Sequence, residues 1–166
     1  MATGLSTQLT RQIGEHLVTA ELGRRGIIAT PFAGNVPDID ILSFANGIST
    51  SIQVKAINGN SWQFDVRSFL DVTVTEQGQK INGLNQNLDK KIICVFVAVE
   101  KKLGEDAFYV FQLGWLQDYF HNNYKGRQAP KNIESFHCAI WKRDLEQHLE
   151  KWSLIERKFK LKPTNT

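Results

Sequence analysis

The fold is decided by residues 39–57, which read IDILSFANGISTSIQVKAI. Residues 39–44 predict one β-strand, and the turn at residues 45–47 then reverses the chain direction. Residues 49–57 predict the next strand, in which apolar and polar side chains alternate between the two faces. Because only a short turn separates the two strands, we expect them to pair as an antiparallel hairpin.

The segments around this hairpin complete an α/β pattern. An amphipathic helix is predicted over residues 6–22 from apolar side chains at helical spacing. Those side chains are Leu9, Ile13, Leu17 and Ala20, and Val18 and Leu22 form a second stripe closer to Glu15. A first strand is predicted over residues 26–32. The most apolar run, residues 92–99, predicts a buried central strand with residues 108–113 as its neighbour.

Chain length predicts one domain over residues 1–166, because 166 residues is an ordinary domain size. Its core is expected within residues 6–113, where residues 76–90 read as a loop or a weak helix. Residues 114–166 are expected to form a helical, basic extension. The net charge of the whole chain is only +3, and the excess of basic side chains lies after residue 124. This excess suits either a phosphate backbone or a solvated surface.

Composition excludes several functional classes. No apolar run approaches the roughly 20 residues that span a bilayer, so an integral membrane protein is not expected. The polar N-terminus does not resemble a secretory signal. Two cysteines support neither a disulfide framework nor a four-cysteine zinc site, and a reducing cytoplasmic location is expected. No phosphate-cradling glycine loop is present, so no nucleotide cofactor is expected.

Polar side chains inside the predicted hairpin point to chemistry. Asp38 and Asp40 share one face of the earlier strand, and Gln53 and Lys55 share one face of the later strand. Glu15 can reach the same patch from the helix. Adjacent carboxylates held away from water destabilise each other unless a cation balances their charge. Mg²⁺ prefers such oxygen ligands, and a neighbouring lysine can stabilise charge on a phosphate, which suits phosphodiester hydrolysis.

These motifs resemble the PD-(D/E)XK nuclease superfamily, which includes restriction endonucleases and Holliday-junction resolvases. The similar segments are Gly14-Glu15, Pro37-Asp38-Ile39-Asp40-Ile41-Leu42 and Ile52-Gln53-Val54-Lys55-Ala56. The resemblance implies a restriction-endonuclease-like α/β fold with an αβββαβ core, in which helices flank a central mixed sheet. It also implies Glu15, Asp40, Gln53 and Lys55 as catalytic residues of a Mg²⁺-dependent deoxyribonuclease, with Mn²⁺ as a substitute.

The chain departs from the superfamily pattern at one position. The superfamily usually has a carboxylate two residues before the lysine, and this chain has Gln53, as in a Gln-Xaa-Lys branch. The resemblance then implies metal ligands from Asp40, Gln53, Asp38 and Glu15, with Asp40 as the principal ligand and Asp38 as a helper. Glu15 would orient a metal-bound water, and Lys55 would assist that water or stabilise the scissile phosphate.

The expected partner is DNA, and a homodimer is expected because cuts in two opposite strands need two active sites. Candidate nucleic-acid contacts are Trp62, by stacking on a base, and Lys125, Arg127 and Lys131, by binding phosphate. A core role for Trp62 and an ordinary basic loop are the structural alternatives. Two rival functions remain open at this point. One is a catalytically inactive module of the same fold that binds nucleic acid or protein, and the other is a plain α/β interaction domain.

Overall fold

In the computed structural model, residues 6–32, 39–128 and 132–163 are described. The helices are α1 (Thr7–Arg24), α2 (Leu113–Asn123) and α3 (Ser153–Lys158). The strands are β1 (Ile28–Pro31), β2 (Ile41–Ala45), β3 (Ile48–Ile57), β4 (Ser61–Asp65), β5 (Leu70–Thr75), β6 (Gly78–Leu84), β7 (Ile93–Ala98), β8 (Ala107–Gln112) and β9 (His137–Trp141). Among the described residues, no helix is both long and apolar enough to cross a membrane.

The chain divides into two compact units. The first contains Met1–Trp62, Ile92–Phe111 and Trp141–Thr166, and the second contains Gln63–Lys91 and Gln112–Ile140. One domain can contain two such units, so the division does not test the prediction of a single domain over residues 1–166.

A five-stranded sheet forms the centre of the first unit, in the order β1-β2-β3-β7-β8. Strands β1, β2 and β3 pair antiparallel, and β3 pairs with β7 in parallel. Every residue of β7 is buried, as expected for a strand covered on both faces. The predicted mixed α/β fold, the hairpin of β2 and β3, and the buried central strand are therefore confirmed.

Helix α1 covers one face of this sheet, and it does so with the second of its two apolar stripes. Its buried residues are Thr10, Gly14, Val18 and Leu22, which recur at every fourth position. Leu9 belongs to the other stripe and is half exposed, whereas Ile13 and Leu17 pack at the margin of the core. Residues of both predicted stripes therefore contact the core, but the main buried stripe is the one beside Glu15.

Gly14 allows an unusually close approach between α1 and β3. A Cβ atom at this position would lie 2.4 Å from the Cβ of Ala56, far inside van der Waals contact. The helix therefore rests on the sheet at a point where only glycine fits. This contact fixes the height of the neighbouring Glu15 above the strand that carries Gln53 and Lys55.

In the second unit, β5 and β6 form an antiparallel hairpin, and α2 supplies a buried amide that joins it to the preceding segment. The Gln117 side chain donates to the carbonyl oxygens of Phe69, at 2.8 Å, and Asn85, at 2.9 Å.

Residues 78–84 were predicted as part of a loop or weak helix, and this prediction is wrong. Their polar, glycine-containing sequence does not show the alternation of apolar and polar residues that is typical of a strand. The strand forms because it pairs with β5. The described residues between β3 and β7 accordingly contain no α-helix, unlike the αβββαβ order that the resemblance implied.

The C-terminal third also differs from the predicted helical extension. Residues 137–141 form strand β9, which pairs with β4. After β9 the chain forms a 3₁₀-helix at Lys142–His148, followed by the short helix α3. Phe159 is fully buried with Trp152 and Ile155 in the core of the first unit, so this part of the predicted extension is a packed segment.

Candidate active site

The candidate site forms where β2 begins beside the middle of β3. Ile41, the first residue of β2, is the register partner of Ile52 in β3. Asp40 immediately precedes β2, and its backbone N–H donates to the carbonyl oxygen of Ile52 at 3.1 Å. This bond departs by one residue from the register of the ladder, so Asp40 lies beside β3 next to Ile52, outside the regular pairing. Ile52 and Val54 point into the core beneath α1, so Gln53 and Lys55 lie on the opposite face of β3, whereas the Asp40 carboxylate reaches Arg11 of α1.

The carboxylate of Asp40 is held by two donors. Its Oδ2 accepts from the backbone N–H of Val54 at 2.8 Å, and its Oδ1 accepts from Nη2 of Arg11 at 3.0 Å. Val54 lies between Gln53 and Lys55, so the Asp40 carboxylate is fixed alongside the stretch of β3 that carries both of them. The sequence pattern of an aspartate between isoleucines required such partners, and the structure supplies them.

Glu15 joins the same group through Arg11, which lies one helical turn earlier on α1. The Nε of Arg11 donates to Oε1 of Glu15 at 3.1 Å. This hydrogen bond, together with the charge of Asp40, raises the pKa of the Arg11 guanidinium, which stays positively charged across the biological pH range. One guanidinium therefore joins the carboxylates of the helix and the sheet.

Gln53 and Lys55 occupy the face of β3 that turns away from the α1 core. The Oε1 of Gln53 accepts a long hydrogen bond of 3.7 Å from the thiol of Cys94, its register partner in β7. Lys55 is exposed, and its carbonyl oxygen accepts from the indole N–H of Trp62 at 2.8 Å. The indole of Trp62 thus anchors the backbone at Lys55, whose side chain is exposed.

The oxygen donors of this cluster suit Mg²⁺. Asp40 and Glu15 offer carboxylate oxygens and Gln53 offers an amide oxygen, which are hard ligands. The bridging guanidinium already marks a position between the carboxylates where positive charge is favourable. No group of three or more His, Cys, Asp or Glu side chains that could hold a metal occurs within residues 6–32, 39–128 and 132–163.

Trp62 lies in the core of the first unit and is only 2% exposed. Its ring packs against Phe96 at 5.1 Å and Tyr109 at 5.7 Å between centroids. A base cannot reach a side chain buried to this extent, so the structure corrects the prediction that Trp62 stacks on DNA and favours its core role.

The predicted phosphate contacts lie in the second unit. Lys125 is exposed, whereas Arg127 donates to the carbonyl oxygen of His137 at 2.8 Å and lies over the Tyr124 ring. Both stay predicted contacts. Asp38 and Lys131 were predicted as a metal ligand and a phosphate contact, and both lie outside the described residues.

Comparison with solved structures identifies a neighbour for the whole fold. The bacterial homing endonuclease I-Ssp6803I matches with a TM-score of 0.53 and 17% sequence identity, over 93% of this chain and 95% of that one. At this identity the match establishes a shared fold. No protein-family model matches the chain, and no curated protein matches it by sequence.

Arg11 is the site residue that sequence reasoning missed. It lies four residues before Glu15 on a predicted helix, which is the spacing of a helical ion pair, so half of its role was visible in the sequence. Its contact with Asp40 spans 29 residues and needs the register of the hairpin and the position of α1 together.

Proposed function

We propose that this chain is a Mg²⁺-dependent endonuclease that hydrolyses DNA phosphodiester bonds, with a PD-(D/E)XK-type site of the Gln-Xaa-Lys variant. The observation that carries the proposal is the fixed position of Asp40. Its carboxylate is bonded to the backbone of Val54, between Gln53 and Lys55, and is linked through Arg11 to Glu15. The fold shared with a bacterial homing endonuclease supports the same conclusion.

Asp40, Gln53 and Glu15 would hold the metal ion, and Asp38 is proposed as a helper. A bound Mg²⁺ supplies positive charge against the phosphate and lowers the pKa of a water molecule. Among the protein groups, Asp40 is the principal ligand, because its second oxygen is already fixed by Val54 and its orientation is set in advance. Gln53 contributes a neutral oxygen and so keeps the charge of the site low.

Lys55 and Glu15 would act on the reacting groups. The exposed ammonium of Lys55 can approach a phosphate on the outer face of the sheet and stabilise the charge that develops on its oxygens. Glu15 can orient the attacking water, because its carboxylate is held at the margin of the site by the i,i+4 bond to Arg11.

The direct test is cleavage of supercoiled plasmid, linear duplex and branched DNA by purified protein. We expect cleavage with Mg²⁺ or Mn²⁺ and none in EDTA, with activity restored when the metal is returned in excess. Cleavage that continues unchanged in EDTA, or DNA binding with no cleavage under any of these conditions, would contradict the proposal.

Gln53→Glu is expected to tighten Mn²⁺ binding about tenfold, because it adds a negative charge among the proposed ligands. The geometry permits this change, since a carboxylate oxygen can accept from Cys94 as the amide oxygen does. Calorimetric titration with Mn²⁺ measures the effect. Gln147→Glu, at an exposed position in the same unit, adds the same charge elsewhere and is expected to leave the affinity unchanged. Equal affinities for all three proteins would argue against Gln53 as a ligand.

A second copy of the chain is proposed as a partner, because one active site can cut one strand of a duplex at a time. The surface that supports it is an apolar patch on β1 and β2, opposite the α1 face. Ile28 is 71% exposed and Phe44 is 44% exposed, and the two are cross-strand partners. Adjacent exposed apolar side chains on a sheet are typical of an interaction surface.

Phe44→Glu is therefore expected to shift the protein from dimer to monomer, because it places a charge in the apolar interface. Analytical ultracentrifugation at micromolar concentration measures the change. Leu103→Glu is the matched control, since Leu103 is 90% exposed in a loop away from this patch, and it is expected to stay dimeric. A wild-type protein that sediments as a monomer at these concentrations would refute the dimer.

A catalytically inactive DNA-binding module is the second candidate, and one observation favours it. Arg11 already neutralises Asp40 and Glu15, so the folded chain does not require a metal to balance them. This candidate predicts binding with steep salt dependence and no cleavage.

A further inference from the structure

The Arg11 guanidinium bridges Asp40 and Glu15, the two carboxylates of the candidate metal site. We propose that Arg11 is a built-in competitor of the divalent cation, which holds Asp40 and Glu15 in the metal-free protein and moves to a DNA phosphate when the metal binds. The inference rests on the proposed function, because it needs a metal at these carboxylates.

Arg11 and a metal ion would compete for the same carboxylate oxygens. Nη2 of Arg11 donates to Oδ1 of Asp40 at 3.0 Å, and Nε of Arg11 donates to Oε1 of Glu15 at 3.1 Å. Asp40 Oδ2 is already taken by the N–H of Val54. The oxygen that Asp40 can offer a metal without losing its backbone bond is therefore the one that Arg11 occupies. A guanidinium and a divalent cation cannot both occupy this position, because their charges repel.

The burial of the three side chains shows which of them can move. The side chains of Glu15 and Asp40 are 14% and 11% exposed, whereas that of Arg11 is 53% exposed. Arg11 thus approaches two shielded carboxylates from the solvent side. It can rotate outward about its own side-chain bonds without disturbing the core or the hydrogen bond between Asp40 and β3.

Once released from the carboxylates, the Arg11 guanidinium could bind a DNA phosphate at the rim of the site. It has five N–H donors, carries a full positive charge and matches the geometry of a phosphate group. Displacement would leave it at the rim of the site, where the DNA backbone has to approach the metal. Exchange of Arg11 between carboxylates and phosphate would thus couple metal binding to DNA binding, since each ligand removes the competition that the other faces.

The first test is calorimetric titration with Mn²⁺ of wild-type protein and two Arg11 variants. Arg11→Gln is expected to bind Mn²⁺ about tenfold more tightly, because two partly exposed ion pairs no longer compete. Arg11→Lys keeps the charge but cannot bridge both carboxylates with a planar fork, so an intermediate affinity is expected. Arg24→Gln removes an ion pair with Glu21 on the same helix and is expected to behave as wild type. Thermal melts of each variant check that the fold is intact.

The second test measures DNA affinity in the Lys55→Ala background with Mn²⁺ at a saturating concentration. There Arg11→Gln is expected to weaken binding of a short duplex severalfold, the opposite direction from its effect on Mn²⁺. A residue that only supports the structure would weaken both or neither. An Arg11→Gln variant that binds Mn²⁺ no more tightly than wild type overturns the inference.

The outcomes separate this inference from the proposed function. If wild type binds Mn²⁺ and cleaves DNA while Arg11→Gln shows no gain in metal affinity, the proposed nuclease function is supported. The proposed competition between Arg11 and the metal ion is then wrong. If neither wild type nor Arg11→Gln binds Mn²⁺ and wild type does not cleave, the proposed function fails and the competition fails with it.

Discussion

Lys55→Ala is expected to reduce DNA cleavage about 10³-fold, which is typical of the loss of one preorganised electrostatic group. The ammonium of Lys55 lies on the outer face of β3, and alanine leaves nothing there to stabilise charge on the scissile phosphate. Because Lys55 is exposed, its truncation is expected to change the free energy of unfolding by no more than about 0.5 kcal/mol. Single-turnover cleavage at saturating Mg²⁺, with a parallel thermal melt, measures both effects.

The matched control is Lys101→Ala, at an exposed position in the same unit. It removes the same charge from the protein without removing it from the site, so cleavage is expected to stay within about twofold of wild type. Equal activity of Lys55→Ala and Lys101→Ala would exclude Lys55 from the reaction.

Gly14→Ala is expected to destabilise the protein by about 1–3 kcal/mol, the usual cost of overpacking a tight contact. Alanine is the better helix former by about 1 kcal/mol, so intrinsic propensity predicts the opposite sign. The new Cβ would lie 2.4 Å from the Cβ of Ala56, and the steric clash is the larger effect. Chemical denaturation gives the free energy of unfolding.

Gly23→Ala provides the control on the same helix, because a Cβ there meets nothing within 4 Å. It is expected to stabilise the protein by up to about 1 kcal/mol. The double variant Gly14→Ala with Ala56→Gly removes the clashing methyl group and is expected to recover part of the loss. If Gly14→Ala proves as stable as wild type, then α1 does not rest on β3 as described.

The same substitution is expected to lower activity. Gly14 sets the height of Glu15 and places Arg11 within reach of Asp40, so a helix lifted by an extra methyl group separates the two halves of the site. A structural defect and a catalytic defect would therefore appear together in Gly14→Ala, whereas Lys55→Ala should show the catalytic defect alone.

The parts of the fold that sequence predicted well are those with strong local signals. The hairpin of β2 and β3 follows from alternation over residues 51–56 and an Asn-Gly turn, and β7 follows from an uninterrupted apolar run. Strand β6 gave no such signal, because its polar residues and glycines are ordered by pairing with β5. Alternation of apolar residues therefore identifies strands that face a core, and it does not identify strands held mainly by backbone pairing.

The candidate site was predictable in part for the same reason. Alternation along β3 predicted that Gln53 and Lys55 share one face, and their position opposite the buried Ile52 and Val54 agrees with this. Asp40 precedes the regular register of β2, so its shared face with Gln53 stays a prediction. Two features depended on tertiary packing that alternation does not encode. Arg11 reaches Asp40 because α1 lies close to β3, and Trp62 is buried because Phe96 and Tyr109 surround it.

The proposed site requires oxygen atoms of Asp40, Gln53 and Glu15 to gather around one cation, with Lys55 beside it. Anomalous diffraction from crystals soaked in Mn²⁺ tests this arrangement. We expect a single strong peak about 2.2 Å from a carboxylate oxygen of Asp40, with the Lys55 side chain on the same side of the sheet. A fully soaked crystal with no peak at Asp40, or with Lys55 pointing to the other side of the sheet, would contradict it.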